Sequence, residues 1–230
     1  LEAPDQKIIY LSQIINKLPQ TINEMYEQLR IITDRKYPTL DSYLSIKDYC
    51  LFIFKEDNKY LENNKDYSKI KKIVESDIGI SFTNKEKELV KKMSEIILDI
   101  IETKEQMLLL VEELFDKHYK NLKKIATTTI ACKMLEITGS FERLLSMPSS
   151  TIQLLSSEKT FFLALRKHKN TPKYGVIYNH PLMISLSKRN KGRFARTLSS
   201  KIALAIKADV NDSYIADKLY DKLLEKIKRY

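Results

Sequence analysis

The first part of the chain repeats apolar residues at alternating intervals of three and four positions. Such a heptad pattern, held for about seven helical turns, is typical of a long helix that packs against another helix. Pro19 lies inside the pattern and cannot donate a backbone hydrogen bond, so we expect a kink or a short break near Asn16 to Leu18. The apolar positions of this helix are Ile8, Leu11, Ile15, Leu18, Ile22, Met25, Leu29 and Ile32.

A shorter helix is predicted after the dipeptide Tyr37-Pro38, because the residue before a proline is biased away from helical backbone. Asp41 or Ser42 can cap its first turn, and we expect it to extend over roughly residues 41–59.

A second long helix is predicted from Lys85 to Lys124, because Thr83 and Glu86 have the spacing of a capping box at its start. At 1.5 Å per residue it would be roughly 60 Å long. Paired with the first helix, it would form an antiparallel coiled-coil hairpin, although an ordinary helical bundle shows the same apolar pattern. We expect the hairpin to self-associate through the apolar residues Met93, Ile97, Ile100, Met107 and Val111.

The rest of the sequence predicts a globular helical part. Small residues such as Ala126 and Ala131 permit close helix packing, and residues 191–208 and 212–229 have the pattern of two basic helices. Only 4 of the 230 residues are Gly, which argues against sandwiches, barrels and Gly-rich nucleotide folds. The predicted fold class is all-α, with a coiled-coil dimerisation domain over residues 1–125 and a globular domain over residues 126–230.

The charge of the chain is concentrated towards its C-terminus. There are 40 Lys and Arg against 30 Asp and Glu, a formal net charge of +10. Residues 1–138 hold 22 basic and 23 acidic residues, whereas residues 139–230 hold 18 and 7. Between Glu158 and Asp209 there are 12 Lys and Arg and no acid. Solvated helix faces usually mix both signs, so this run favours a polyanionic partner such as RNA over a merely basic surface.

Sequence signals for catalysis are weak. No Gly-rich phosphate loop or G-x-S-x-G turn occurs, and His118, His168 and His180 have no carboxylate or thiol at metal-ligand spacing. Cys50 and Cys132 lie far apart in apolar surroundings, which is typical of buried free thiols in a reducing intracellular compartment. We therefore expect a protein that is not an enzyme and that holds no cofactor and no metal.

The sequence also shows no run of 18 apolar residues and no signal peptide, so no membrane partner is expected. It begins with Leu1 instead of Met, and we expect an upstream domain to be missing.

Basic residues of the acid-free run alternate with planar and hydroxyl side chains, as in RNA-binding surfaces. Lys and Arg bind phosphates, and Tyr or His can stack on an unpaired base. Arg193 and Arg196 are three residues apart, which places them on one face of a helix near its N-terminus. The candidate RNA contacts are Thr151, Gln153, Lys159, Arg166, Lys167, Lys169, Lys173, His180, Arg189, Lys191, Arg193 and Arg196.

Several motifs in this region resemble the Nop domain family in their order and spacing. They are Gly139-Ser140-Phe141-Glu142-Arg143-Leu144, Met147-Pro148-Ser149-Ser150-Thr151-Ile152-Gln153, Glu158-Lys159, Phe162-Leu163-Ala164-Leu165, Pro172-Lys173-Tyr174-Gly175-Val176-Ile177-Tyr178 and Lys191-Gly192-Arg193-Phe194-Ala195-Arg196. Upstream, Gln28-Leu29-Arg30 through Tyr37-Pro38-Thr39-Leu40 is similar to the end of the family's first coiled-coil helix.

The resemblance is greatest to the Nop scaffold subunit of archaeal box C/D small ribonucleoproteins and its nucleolar relatives. It implies a non-catalytic chain that binds a box C/D guide RNA together with a small kink-turn-binding protein, and that self-associates through the coiled coil. It also implies that the missing N-terminal domain binds fibrillarin, the subunit that performs 2′-O-methylation of RNA. The implied location is the cytoplasm for an archaeal protein and the nucleolus for a eukaryotic one.

Two departures from the family pattern concern the segment around Glu158-Lys159. Ser156-Ser157 replaces the family's Gly-Ala, and Leu163 stands where the family usually has an Arg. Any contact that the family makes to the guide–target duplex through that Arg is therefore not expected from Leu163. Arg166 or Lys167, one turn later, could substitute for that Arg.

Three other functions remain open from the sequence. A spliceosomal Nop-domain factor is the nearest alternative within the family. A helical adaptor whose basic face meets an acidic protein, and an enzyme that acts on RNA by itself, are the alternatives outside it.

Overall fold

The computed structural model describes residues 3–55, 61, 65–75, 81–157, 166 and 172–229. Within these residues every regular element is a helix, so the predicted all-α class is confirmed. The α-helices are α1 (Pro4–Thr33), α2 (Ile46–Lys55), α3 (Tyr67–Glu75), α4 (Asn84–His118), α5 (Lys120–Ala126), α6 (Thr128–Thr138), α7 (Phe141–Ser146), α8 (Ser149–Leu154), α9 (Pro181–Ile184), α10 (Lys188–Val210) and α11 (Ala216–Lys228). Short 3-10 turns occupy Leu40–Ser42 and Val176–Asn179.

Helix α1 is continuous through Pro19, so the short break predicted near Asn16 to Leu18 does not occur. A proline inside a helix removes one hydrogen bond, here the bond that would reach the carbonyl of Ile15. Ile22, one turn after Pro19, is buried, and Ile15 and Leu18 before it are half-buried. These contacts hold the helix in register across that loss.

The second helix begins later than the sequence predicted. Residues 40–42 form a 3-10 turn that follows Thr39, whose backbone has a left-handed φ of 67°. Helix α2 starts only at Ile46, where the hydroxyl of Ser45 accepts the backbone N–H of Asp48 at 3.2 Å. Ser45, and not Asp41 or Ser42, therefore caps this helix.

The capping box at the start of α4 is confirmed. The Glu86 carboxylate accepts the backbone N–H of Thr83 at 2.8 Å, and the Thr83 hydroxyl accepts the N–H of Glu86 at 3.3 Å. The hydrogen bonds from Thr83 also lower the pKa of Glu86. The predicted helix to Lys124 is instead divided at Tyr119, which separates α4 from α5.

The chain forms two compact units. Unit 2 comprises Ile15–Met107, and its core joins α1 to α2, α3 and α4. Within this unit α1 and α4 are antiparallel, because Arg35, just after α1, forms an ion pair with Glu86 at the start of α4. The core residues are Ile22, Tyr26, Leu29, Leu40, Leu44, Tyr49, Cys50, Phe52, Ile53, Leu61, Ile70, Val90 and Ile97.

Unit 1 comprises Leu1–Ile14 and Leu108–Tyr230, and α10 is its central helix. Helices α5 and α8 pack against α10, and α11 packs against both α5 and α10. The buried face of α10 carries Phe194, Ala195, Leu198, Ile202, Ala205 and Ile206. The opposite face of α10 is therefore exposed to solvent. Most of the basic residues of α10 lie in the first half of the helix. The two basic helices predicted at 191–208 and 212–229 are α10 and α11, with starts at Lys188 and Ala216.

The Gly139-Ser140-Phe141 motif shapes unit 1 through its backbone. Gly139 ends α6 with a φ of 77°, a left-handed conformation in which glycine has no steric cost. The Ser140 hydroxyl caps α7 by accepting the N–H of Arg143 at 3.2 Å. The buried Asp5 of α1 accepts the N–H of Phe141 at 2.8 Å. This motif therefore positions α6 and α7 relative to the start of α1.

None of the described helices combines the length and the apolar character that crossing a membrane requires.

Candidate nucleic-acid interface

Three arginines form a row on the first half of α10. Arg189, Arg193 and Arg196 are four and three residues apart, so they lie on one face of the helix, and all three are exposed. None of them forms an ion pair within the part of the chain that the structure describes. The row therefore presents three guanidinium groups that have no anionic partner of their own.

The arginine row lines an open groove of about 540 Å³, which we call the arginine groove. Five residues predicted as RNA contacts meet here, and four others were not predicted. The predicted residues are Gln153, Lys173, Arg189, Arg193 and Arg196, and the additional ones are Ser150, Leu154, Pro172 and Gly192.

The opposite wall of the groove is fixed by hydrogen bonds between α8 and the segment that starts at Pro172. The side-chain amide of Gln153 donates to the carbonyl of Lys173 at 2.6 Å, and the N–H of Gly175 donates to the carbonyl of Gln153 at 2.8 Å. The N–H of Val176 donates to the carbonyl of Leu155 at 2.8 Å. Gln153 thus acts within the groove by holding the backbone of Lys173.

Two glycines permit this close packing. A Cβ atom on Gly175 would lie 1.8 Å from the carbonyl oxygen of Leu155, so no side chain fits there. A Cβ atom on Gly192 would lie 3.2 Å from Cδ of Lys173, which shows that the Lys173 side chain lies directly over α10. Sequence reasoning recognised both glycines only as parts of motifs, because steric exclusion depends on contacts that are distant in sequence.

Lys191 extends the basic surface beside the groove. Its ammonium lies 4.7 Å from the ring centroid of Tyr178, and the Tyr178 ring stacks on Tyr174 with centroids 5.1 Å apart. Tyr178 is 43% exposed. A cation over an aromatic face is stabilised by about 0.5 to 1 kcal/mol at an exposed site, so the tyrosine pair holds Lys191 in place.

The structure removes His180 from the candidate RNA contacts, because the side chain is only 2% exposed. Its Nδ1 accepts the N–H of Leu182 at 3.2 Å, which caps α9, and its Nε2 lies 3.0 Å from the carbonyl of Ile125. This arrangement requires a neutral ring with the proton on Nε2. Burial lowers the pKa of His180, in keeping with the neutral form. The sequence could not reveal this role, because Ile125 is 55 residues away.

The remaining predicted RNA contacts are dispersed or not described. Thr151 is half-buried on α8 and does not line the arginine groove, and Arg166 is exposed. Lys159, Lys167 and Lys169 lie outside the described residues, as does Leu163.

The chemistry of the arginine groove suits phosphate groups. Guanidinium, ammonium and amide groups are hydrogen-bond donors, whereas no carboxylate is found among the described residues that line the groove. Phosphate oxygens accept such hydrogen bonds, and Arg binds them with two parallel bonds. The groove could thus hold the backbone of a nucleic acid.

A metal-ligating cluster or a reactive thiol would be a further chemical site outside the arginine groove. The described residues contain no group of three His, Cys, Asp or Glu side chains that could hold a metal ion. Both cysteines are buried, and burial raises the pKa of Cys50 to about 12 and that of Cys132 to about 11. The thiols therefore stay protonated at neutral pH, and a protonated thiol is a poor nucleophile.

The residues predicted for self-association differ in exposure. Ile97 lies in the core of unit 2, and Val111 is buried in unit 1. Met93, Ile100 and Met107 are half-buried on α4. Five apolar residues of α4 that the prediction left out are more exposed. They are Leu89 and Ile96 in unit 2 and Leu108, Leu109 and Leu110 in unit 1. The self-association of the chain stays a prediction, as does the functional division at residue 125.

Comparison with known proteins places the chain among RNA-associated domains. A family model named Nop and described as "snoRNA binding domain, fibrillarin" matches residues 14–229. A NOP5 family protein of Methanocaldococcus jannaschii is 30% identical over 237 residues, which cover 99% of this chain and 57% of that protein. Nucleolar protein 58 of Lodderomyces elongisporus is 34% identical over 143 residues, which cover 62% of this chain and 28% of that protein.

A solved structure shares the fold. A chain of the crystal structure of a fibrillarin/Nop5p complex aligns with a TM-score of 0.51 at 22% identity, covering 94% of this chain and 78% of that one. The chain thus spans little more than half of the NOP5 relative and about a quarter of the nucleolar one.

Proposed function

This chain belongs to the Nop family, and from that premise we propose that it is the RNA-binding scaffold subunit of a box C/D small ribonucleoprotein. The observation that carries the proposal is the arginine groove, in which three arginines of α10 without ion pairs among the described residues face a wall that holds Lys173. Seven of the nine lining residues belong to the motifs that resemble the family, Leu154 and Arg189 being the exceptions, and the groove suits the phosphates of a guide RNA.

In this role the chain would position a reaction that another subunit performs. The guide RNA would be held jointly with a small kink-turn-binding protein, and fibrillarin would carry out 2′-O-methylation at the nucleotides that the guide selects. The structural relative was solved as a fibrillarin/Nop5p complex, which supports fibrillarin as a partner. We assign the fibrillarin contact to an N-terminal domain outside this chain, and we assign no catalytic group to the chain itself.

The proposed location follows the relatives. Those named nucleolar proteins are eukaryotic, and the relative matched over nearly the whole chain is archaeal. An archaeal source would place the chain in the cytoplasm, and a eukaryotic source would place it in the nucleolus.

The test is binding to a box C/D RNA, with and without the small kink-turn-binding protein, measured by gel shift and fluorescence anisotropy over a range of salt concentrations. Replacing Arg193 and Arg196 by Ala should weaken the complex. It should also reduce the slope of log affinity against log salt by about 0.9 for each phosphate that the variant no longer binds, the value for duplex DNA. An unchanged affinity and slope would rule out the arginine groove as the RNA site.

The same assay separates the alternatives. If no RNA-dependent complex forms with or without the kink-turn-binding protein, a protein adaptor with an acidic partner is favoured. Preference for a kink-turn small nuclear RNA of the spliceosome over a box C/D RNA would favour the spliceosomal branch of the family.

We further propose that the chain self-associates through α4. An apolar stripe on α4 consists of Leu89, Met93, Ile96, Ile100 and Met107, which follow one another at intervals of four, three, four and seven residues. Leu89 and Ile96 are exposed, and the other three side chains are half-buried. An apolar stripe with this spacing is typical of a helix that packs against a further helix. Met93 and Ile100 also pack against the core of unit 2, which contains the neighbouring Val90 and Ile97. Leu89 and Ile96 are the members of the stripe that leave most apolar surface for a partner.

A further inference from the structure

A second groove in unit 1 shares no lining residue with the arginine groove among the described residues. It has a volume of about 450 Å³, and we call it the lysine groove. Three of its side chains are cationic and one is acidic. The lining residues are Asp116, Lys120, Lys123, Lys124, Thr127, Thr128 and Tyr214.

The walls of the lysine groove are fixed by a polar network at the start of α5. The Asp209 carboxylate accepts the backbone N–H groups of Asn121 and Leu122 at 2.8 and 2.9 Å, so it caps α5 from the end of α10. The Asn121 side chain donates to the carbonyl of Ser213 and accepts the N–H of Ile215, both at 2.8 Å. Tyr214, which lies between these two residues, is thereby held beside Lys120, and the groove is preorganised.

The cations of the groove differ in how firmly they are neutralised. The Lys123 side chain is 23% exposed, and its ammonium lies 2.9 Å from the carboxylate of Asp116. Asp116, the acidic residue of the lining, therefore neutralises Lys123. Lys124 lies 3.8 Å from Asp217, and both side chains are at least half exposed, so the pair contributes little. Lys120 is exposed and has no ion-pair partner within the described part of the chain. Lys120 and Lys124 can therefore bind an external anion.

The floor of the groove adds further hydrogen-bond donors. The hydroxyls of Thr127 and Thr128 have no hydrogen-bond partner among the residues that the structure describes. The backbone of Thr127 is itself fixed, because its N–H donates to the carbonyl of Lys123 at 2.9 Å and its carbonyl accepts the N–H of Ala131 at 2.9 Å. The side chains of Lys120, Lys124, Thr127 and Thr128 thus line one open volume.

We propose that the lysine groove binds phosphates of the RNA backbone, as a second contact separate from the arginine groove. The proposal rests on the proposed function, since it assumes that RNA occupies the arginine groove. Sixteen residues of α10 separate Arg193 from Asp209, which at 1.5 Å per residue is roughly 24 Å along the helix. The two grooves would therefore contact different segments of one RNA.

The test compares three double variants of the full chain on the same box C/D RNA. Lys120→Gln with Lys124→Gln changes the lysine groove, and Arg193→Ala with Arg196→Ala changes the arginine groove. Lys17→Gln with Lys85→Gln removes two exposed charges from unit 2 as a matched control. Circular dichroism confirms that each variant is folded. Anisotropy at several salt concentrations then gives the slope, and hydroxyl-radical footprinting gives the protected nucleotides.

We expect the lysine-groove variant to reduce the salt slope by about 1 to 2, corresponding to two phosphate contacts, and to lose protection at nucleotides that the arginine-groove variant still protects. The control should match the wild type. The proposal is overturned if the lysine-groove variant keeps the wild-type slope and footprint. If the arginine-groove variant alone loses affinity, the proposed function stands and only the second contact fails. If the wild type does not bind RNA, both fail.

Discussion

Gly175 occupies a position where the fold leaves no room for a side chain. A methyl group there would overlap the carbonyl oxygen of Leu155, and the backbone of α8 would have to move. We expect Gly175→Ala to destabilise the protein by about 1 to 3 kcal/mol, as overpacking of a close contact does. That corresponds to a fall in Tm of several degrees, which calorimetry measures. The arginine groove should lose RNA affinity in parallel, because Lys173 is held by the same contacts.

Gly192→Ala is the matched control for that change. Its Cβ would meet the flexible end of the Lys173 side chain and not the backbone. Alanine also favours the helix over glycine by up to about 1 kcal/mol, so the Tm should stay unchanged or rise. A Gly192→Ala variant that loses as much stability as Gly175→Ala would contradict the steric argument.

His180 predicts a pH dependence of stability. Its folded-state pKa is lowered, so below the ordinary histidine value of about 6.5 the unfolded chain binds more protons than the folded one. The contribution of His180 to the free energy of unfolding should therefore be greatest above about pH 6.5. It should decrease as the pH falls below that value, by at most about 1.4 kcal/mol per pH unit. Urea unfolding at a series of pH values measures this slope.

His180→Asn should reduce the dependence of the unfolding free energy on pH. It should also lower the unfolding free energy at neutral pH. Asn can still accept the N–H of Leu182, but the carbonyl of Ile125 loses its partner. His118→Asn, which changes an exposed histidine of α4, should leave the acid-induced loss in place. An equal slope in the wild type and in His180→Asn would show that His180 is not its source.

At the scale of elements, the spacing of apolar and polar residues along the chain predicted where the helices are. It predicted the residues at which they begin and end less well. The sequence reveals features that follow from intervals along the chain. These are the heptad pattern of apolar residues in α1, the Thr83 capping box and the arginine row from Arg189 to Arg196. The break at Tyr119 and the burial of His180 depend on groups distant in sequence, such as Asp209 and the carbonyl of Ile125. Such tertiary hydrogen bonds leave no local pattern, and the sequence could not show them.

Helix α4 allows a sharp test of self-association, because neighbouring isoleucines face different surroundings. Ile97 is fully buried in unit 2, whereas Ile96 is 41% exposed. Ile96→Glu should keep the circular dichroism and Tm of the wild type but yield a monomer by light scattering. Ile97→Glu would bury an unpaired carboxylate at a cost of several kcal/mol, so it should unfold unit 2. A folded Ile96→Glu protein that remains a dimer would place self-association elsewhere.

At the scale of the whole molecule, the net charge of +10 is less informative than its distribution. The arginine groove lies in the part of the sequence that holds 18 basic and 7 acidic residues. Most of the lysine groove lies in the nearly neutral part, where Lys123 is paired and local geometry leaves Lys120 and Lys124 accessible. Charge counting could therefore predict the first groove and not the second, because ion pairing is decided by the fold.

This distinction leads to a prediction that separates local from overall charge. Lys173→Gln with Arg189→Gln and Lys17→Gln with Lys85→Gln each remove two positive charges, so both variants have the same net charge. A general attraction to RNA would weaken equally in both, since it depends on the summed field of the protein. Phosphate contacts in the arginine groove would instead reduce the salt slope by about 0.9 per contact in the first variant alone.

Anisotropy with one box C/D RNA at several salt concentrations measures both slopes. Equal slopes in the two variants would mean that RNA responds to the overall charge and that the groove makes no specific contact. We expect the first variant to lose slope and the second to match the wild type, because Lys17 and Lys85 line neither groove.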